Sequence, residues 1–399
     1  MPAGKVRVLP LANATRDPRI VNVWQRLFER CDHPNALHAS PAWAEYLRAR
    51  GAAVQVAVID ASDGAPAGVI PIVCHAHGLD YSVGKYRGFR SRFRVADALG
   101  SLPLVPDGVM APGELVHGLL AAWPDCDALF FESLPVESAH ANVAAAPTDF
   151  VAYQPSNPRV DHLIDVDGSF EGYLAGRSAK LRFNAERSLR KLGGVGPVEF
   201  KCYRATRDVD RLFADAERVR SRSWQRATLG ALGDDRDQSS HAALTELAQR
   251  GLLRSYVLYA GGTPCAFVVG YQCQGVYFYA VVGYDVAFAR HSPGTALLAS
   301  LLEDLFRVDR PRVVSFGRGD DDYKRRFGTR RQRVGTYLFF RPTVPNRLRV
   351  QQHRLFVHAK ELVAAIRAHS PHRPEGAPAH LENAPRGEGE ADEEREPGG

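Results

Sequence analysis

Between residues 277 and 282 apolar side chains fill both faces of an alternating run, with Tyr277, Tyr279 and Val281 on one side and Phe278, Ala280 and Val282 on the other. The run predicts a strand that stops at Gly283-Tyr284. Downstream, Leu297, Leu298, Leu301, Leu302 and Leu305 recur at helical spacing. The intervening Ser292-Pro293-Gly294-Thr295 predicts where that helix begins: Ser suits the N-cap and Pro the first turn. Residues 312–316 (Arg-Val-Val-Ser-Phe) then read as a second strand, parallel to the first because a helical crossover joins them.

The same order occurs earlier in the chain. Residues 54–60, a turn at Ser62-Asp63-Gly64 and residues 68–74 predict a strand, hairpin and strand; residues 255–260, Gly261-Gly262 and residues 265–272 repeat them. Ala111-Pro112-Gly113-Glu114-Leu115, continuing through Leu119-Leu120 to Trp123, parallels Ser292-Pro293-Gly294-Thr295-Ala296, and a β-rich run follows each, at 127–132 and 312–317. Two tandem domains of one type are therefore expected. Between them, Ser169 caps a segment with Leu174, Leu181, Ala185, Leu189 and Leu192 on one face and Arg177, Lys180, Arg187, Arg190 and Lys191 on the other. Residues 208–224 predict a further helix with Trp224 at its end, and residues 346–370 a basic amphipathic helix expected to fold against the domain.

The 399 residues suit two or three domains, and 45% hydrophobic with 24% charged residues is ordinary for a globular protein. No apolar run reaches the length of a membrane span, and residues 1–8 carry charge without an apolar continuation, so no secretory signal is expected. The six cysteines lack the paired spacing of zinc sites and read as free thiols of a cytoplasmic protein. The net charge of +6 hides an asymmetry. From 371 to 399, eight acids face three arginines, a net of −5, which leaves +11 on the rest. That acidic, Gly- and Pro-rich tail has the composition of a disordered segment, while the basic body suits an anionic ligand.

A helix N-terminus presents backbone N–H groups without intrahelical partners, and Gly294 lets an anion approach them. Ligands of α/β sheets gather at strand C-termini, so Gly283, Ser292 and the segment Gly317-Arg318-Gly319-Asp320 are expected to converge on one crevice. This strand, turn and helix resemble the coenzyme A pyrophosphate site of the GNAT acyltransferase fold. Ser292-Pro293-Gly294-Thr295-Ala296-Leu297-Leu298, Gly319-Asp320 and Tyr323-Lys324 resemble its CelD-like branch, named for bacterial cellulose-biosynthesis operons. The resemblance continues through Phe170, Tyr173-Leu174, residues 177–182 and Ser223-Trp224-Gln225, covering roughly residues 160–345, with a fainter echo at Ser40-Pro41-Ala42-Trp43.

The resemblance implies an α/β (α+β) chain of two GNAT-like domains, each a mixed sheet flanked by helices. Residues 1–155 form a degenerate domain, 156–345 the domain with the coenzyme A site, 346–370 the C-terminal helix and 371–399 the tail. It implies acetyl-CoA as acyl donor, contacted by Val282, Gly283, His291, Ser292, Gly294, Thr295 and Ala296, with the amides of Gly294, Thr295 and Ala296 at the pyrophosphate. The GNAT signature of Arg or Gln, two residues, Gly, one residue, then Gly or Ala is met by His291, Gly294 and Ala296 only with His in first place. A second register puts Ser292 at the first glycine and Gly294 at the last. In the first domain Glu114 stands where Thr295 stands, and its carboxylate would repel a pyrophosphate.

Thioester chemistry of this kind needs a group to orient or deprotonate the acceptor and an acid for the departing thiolate. Asp320 is assigned the first role and Tyr323 the second, with Lys324 pairing to Asp320, to phosphate or to an anionic acceptor. Arg177, Lys180, Trp224 and Tyr284 are expected on the acceptor side, the acceptor being an amine or hydroxyl, as of a sugar or polysaccharide precursor. Three adjacent acids at 320–322 do not make a metal site, because consecutive carboxylates point in different directions. The tandem layout also resembles the Fem-type transferases, which use aminoacyl-tRNA. A noncatalytic basic module for nucleic acid or acidic polysaccharide is the third alternative.

Overall fold

The computed structural model describes residues 5–31, 33–83, 88–143, 149–223 and 239–369. Thirteen strands join in one mixed sheet: β1 (Lys5–Pro10), β2 (Val54–Asp60), β3 (Pro66–Asp80), β4 (Arg90–Ala98), β5 (Ala128–Pro135), β6 (Val151–Tyr153), β7 (Arg159–Asp165), β8 (Val198–Tyr203), β9 (Ser255–Ala260), β10 (Thr263–Cys273), β11 (Val276–Tyr284), β12 (Val313–Ser315) and β13 (Arg330–Phe340). The main helices are α1 (Pro18–Arg30), α2 (Pro41–Ala49), α3 (Pro112–Ala122), α4 (Phe170–Ala175), α5 (Ala179–Gly193), α6 (Val209–Ser221), α7 (His241–Gln249), α8 (Pro293–Arg307), α9 (Asp322–Phe327) and α10 (Val344–His369).

The strand order, β1-β2-β3-β4-β5-β13-β7-β12-β11-β10-β9-β8, reads as the same series from either edge. Among the described residues only β4 with β5 and β11 with β12 pair in parallel, each across its own crossover helix, α3 or α8. The duplicated pattern of the sequence is thus a duplicated sheet. At the centre the halves interlock. β7, which follows β5 in the chain, pairs with β12, whereas β13, which follows β12, pairs with β5. β7 and β13 also pair with each other, Arg330 opposite Leu163, so hydrogen bonding continues across the middle.

The core is split by the sheet. On one face α4, α5 and α8 bury Leu181, Leu192, Leu297, Leu301, Leu302 and Leu305 against Tyr256, Leu258 and Tyr277. On the other, α6 and α7 cover Val257, Tyr259 and Phe267. The helix expected to run on from Ser169 is instead two. Ser169 caps α4 through Gly172 N–H at 3.0 Å and Ser178 caps α5 through Leu181 N–H at 3.2 Å. Arg182 closes the break by donating to the carbonyls of Ala175 and Arg177, orphaned where α4 ends. Residues Met1–Phe356 form one compact unit, and within it the proximal part of α10 buries Val350 and sets His353 against Tyr153. The leucines expected to form its packed face, Leu348 and Leu355, are exposed instead, because the face that meets the sheet carries Asn346, Val350 and His353. The described residues from Val357 to His369 belong to a second unit. The acidic segment 371–399 lies outside the described residues.

Two histidines precede α2, His33 buried and His38 partly buried, and loss of solvent around the ring pushes both down to about 4, aided by the positive charge of Arg330 and Arg318 respectively. The unfolded chain therefore takes up these protons first, near 6.5, and stability is expected to fall as pH drops from 6.5 to 4. The loss can reach about 1.4 kcal/mol per histidine per pH unit. Thermal melts across that range at constant ionic strength test this, and a flat profile would contradict it.

Candidate active site

The parallel contact between β11 and β12 spans three residues, Val276 to Phe278 against Val313 to Ser315. Beyond it β12 ends, while β11 runs on to Tyr284 with pairing on its β10 side alone. A bulge lies within this extension: Val269 faces Val281 but Gly270 faces Tyr279, which leaves Ala280 as an extra residue on β11. The bulge reverses the side-chain alternation. Tyr277 and Tyr279 pack on the α8 face, then Val281 turns away and Val282 and Tyr284 take that face. The result is an extended strand with an open edge, leading towards the start of α8.

At that start the chain makes a 3-10 turn, Val286–His291, and Ser292 adopts a left-handed conformation at φ 52°. Ser292 does occupy the N-cap position, but its hydroxyl makes no capping bond and stands exposed. Its carbonyl accepts from Thr295 N–H at 3.1 Å and Ala296 N–H at 3.2 Å. Two of the three amides expected to face pyrophosphate are therefore engaged within the helix, which corrects that reading. The Gly294 N–H has no partner among the described residues. A Cβ on Gly294 would meet only Tyr284 Cδ1, at 3.9 Å, so the approach to this amide is open. Lys191 from the last turn of α5 donates to the Arg290 carbonyl at 3.3 Å and holds the turn in place. His291 Nδ1 is buried beside it without a hydrogen bond. Gly283 is needed for packing, since a Cβ there would come within 2.6 Å of Phe267 Cε1.

After β12, Gly317 (φ 60°) and Gly319 (φ 103°) turn the chain through backbone conformations that favour glycine and deliver Asp320 to Tyr323. Tyr323 lies against Phe316 and Tyr279, with ring centroids 5.9 and 6.2 Å away. Its hydroxyl has no hydrogen-bond partner among the described residues, and burial, with the charge of Asp321, pushes its pKa up. The Tyr279 hydroxyl is raised by burial and by the nearby Tyr323. Asp320 is half exposed and accepts from His162 Nε2 at 2.6 Å, with Arg325 3.0 Å from its other oxygen. The His162 bond, then Arg325, holds its carboxyl below the usual range. Asp320 is thus a stable anion and a weak base.

The remaining assignments scatter. Lys324 is buried, donates to the Arg318 carbonyl and pairs with Asp321 at 3.3 Å, not with Asp320. Arg177 donates to the Gly328 carbonyl and stacks over Tyr173, whose hydroxyl holds the Phe327 carbonyl at 2.7 Å, so both fasten the end of α9. Lys180 is exposed on α5, and Trp224 lies outside the described residues. Val282, Tyr284, Ala296, Phe316 and Tyr323 meet in one packed cluster with Tyr279. Sequence reasoning missed Tyr279, His162 and the bulge. Tyr279 was visible only as one more aromatic in an alternating strand, and nothing local links His162 to Asp320, 158 residues away.

The first half lacks this arrangement. β4 ends at Ala98, one residue past its parallel contact at Asp97, and its pairing with β3 runs from Ala98 to Arg90 without a bulge. At the start of α3, Glu114 accepts from Ala111 N–H at 3.4 Å and closes the helix end itself. Among the described residues no group of three or more His, Cys, Asp or Glu side chains could hold a metal ion, and no helix is long and apolar enough to cross a membrane.

Residues 179–325 match the family model of the acetyltransferase (GNAT) domain, a span that begins with α5 and ends within α9. The chain carries a domain of that type. Among solved structures it is similar to FemX, at 10% identity and a TM-score of 0.55, covering 80% of this chain and 96% of that one. It is also similar to a conserved protein of unknown function from Bacteroides thetaiotaomicron VPI-5482, at 10% identity and a TM-score of 0.52, covering 84% and 98%. At such identity these likenesses concern the fold. No curated protein matches the chain.

Proposed function

We propose that the chain is an acyltransferase that takes an acetyl group from acetyl-CoA and passes it to an amine or hydroxyl acceptor, with a sugar or polysaccharide precursor as the acceptor class. The observation that carries this reading is the open, bulged end of β11 leading to the free Gly294 amide. An extended thioester donor can pair with the strand edge while its pyrophosphate meets the helix N-terminus. Residues 156–345 then hold the chemistry, and residues 1–155 form a platform beside it. The CelD-like motif is the support for a sugar acceptor.

In this reading Tyr323 supplies the proton to the leaving thiolate, since a tyrosine with a raised pKa is fully protonated at neutral pH. Asp320, kept ionised by His162 and Arg325, orients the acceptor and steadies the positive charge that an attacking amine acquires; the acceptor proton passes on to water. A Fem-type transfer from aminoacyl-tRNA is the second reading, supported by the likeness of the whole sheet to FemX. Isothermal titration separates them. Acetyl-CoA binding at one site per chain, with no aminoacyl transfer from charged tRNA, supports the first; tight tRNA binding at physiological salt with such transfer replaces it by the second. Binding of nucleic acid or polysaccharide without either activity would leave the noncatalytic module.

A further inference from the structure

Cys74 lies on β3, and Cys126 lies in the turn between α3 and β5. Both are free, 52 positions apart in the chain, and their sulfurs are 3.5 Å from each other. β4 runs between their strands, with Ala96 opposite Cys74 on one side and opposite Leu129 on the other. A bond between the sulfurs would therefore strap β3 to the entrance of β5. The Cys126 backbone is already fixed: its carbonyl accepts from Arg341 Nε at 2.8 Å, and the same guanidinium holds the Trp123 carbonyl at 2.8 Å. Cys74 is partly exposed, whereas Cys126 is buried.

We propose that Cys74 and Cys126 are a site of reversible oxidation, forming an intramolecular disulfide with a small disulfide oxidant of the glutathione type. A disulfide needs its sulfurs about 2.05 Å apart, so the gap to close is about 1.5 Å. The partly exposed Cys74 is the sulfur that the oxidant can reach and reacts first, although its hydrogen bond with Cys126 and burial hold its thiol up: the pair loses one proton to water, the remaining proton rests on Cys126, and the Cys74 thiolate attacks one sulfur of the oxidant and releases one small thiol. Cys126 then attacks Cys74 Sγ as a thiolate, forms the internal bond and expels the second small thiol. The two cysteines lose two electrons and two protons, and the oxidant is reduced to two thiols. In the reduced protein the hydrogen bond from Cys74, with Arg94 and Arg341 close by, holds the Cys126 thiol down; once Cys74 is capped that bond is gone, and the two guanidiniums are what favour the Cys126 thiolate in the second step. The chain's six cysteines provide an internal control, since Cys202 is exposed and without a partner cysteine in contact. The inference is independent of the acyl-transfer reading.

The test is to equilibrate the full chain with oxidised glutathione, alkylate the remaining thiols and map the peptides by mass spectrometry. The expected result is a Cys74–Cys126 cross-linked peptide, reversed by dithiothreitol, and a melting temperature roughly 5 °C above that of the reduced protein. Cys74→Ser, at the less buried position, should fold normally and lose both the cross-link and the rise. The proposal is overturned if both cysteines stay alkylatable, if they carry separate glutathione adducts without a cross-link, or if Cys74→Ser shows the same rise on oxidation.

Discussion

Gly294→Glu is expected to weaken acetyl-CoA binding by about 100-fold or more while leaving the fold intact. Like charges brought together in a binding site cost several kcal/mol, and each 1.4 kcal/mol is about tenfold in affinity. The substitution is mild for the protein itself: the new Cβ meets only Tyr284 Cδ1, at 3.9 Å. A carboxylate in the first turn also favours the helix dipole, and α3 already carries Glu114 one position further along its own first turn. Isothermal titration should thus give one site per chain for the natural protein and little heat for the variant, with melting temperatures that agree closely. Equal affinities would remove the start of α8 from the site.

Tyr323→Phe is expected to lower turnover by about two to four orders of magnitude, the usual cost of losing a positioned acid, with acetyl-CoA affinity nearly unchanged. The hydroxyl makes no hydrogen bond that holds the fold together, and its ring contacts with Phe316 and Tyr279 survive in phenylalanine. Because its pKa is raised above 10, the natural enzyme should show no fall in kcat from this group as pH rises to 10. Rate measurements with an identified acceptor decide it. Turnover at the natural rate in Tyr323→Phe would turn attention to the hydroxyl of the neighbouring Tyr279.

Local patterns made much of this architecture readable. The alternation at 277–282, the Ser-Pro-Gly-Thr turn and the leucine spacing of α8 are each written within a few residues, and β11, α8 and β12 follow them closely. The repeat was legible for the same reason, since α3 and α8 begin with matching Pro-Gly pairs. What stayed hidden depends on partners remote in sequence. The extra residue at Ala280 is defined only against Val269 and Gly270 across the ladder, and a run with apolar residues on both faces hides the change of phase. The left-handed Ser292 inverts the usual meaning of a serine before a helix. His162 becomes part of the site because β7 lies beside β12, a pairing that no residue near either strand announces.

The exchange of β7 and β13 sets a timetable for the nascent chain. β5 is complete at Pro135, but its neighbour on the inner side, β13, ends at Phe340, about 200 residues later. At about 5–20 residues per second, β5 waits roughly 10–40 s on the ribosome with that edge unpaired. An unpaired inner edge of this kind is a template for a wrong strand, including the same strand on a neighbouring chain of a polysome. The protein can be duplicated in its parts and still be born as a single piece.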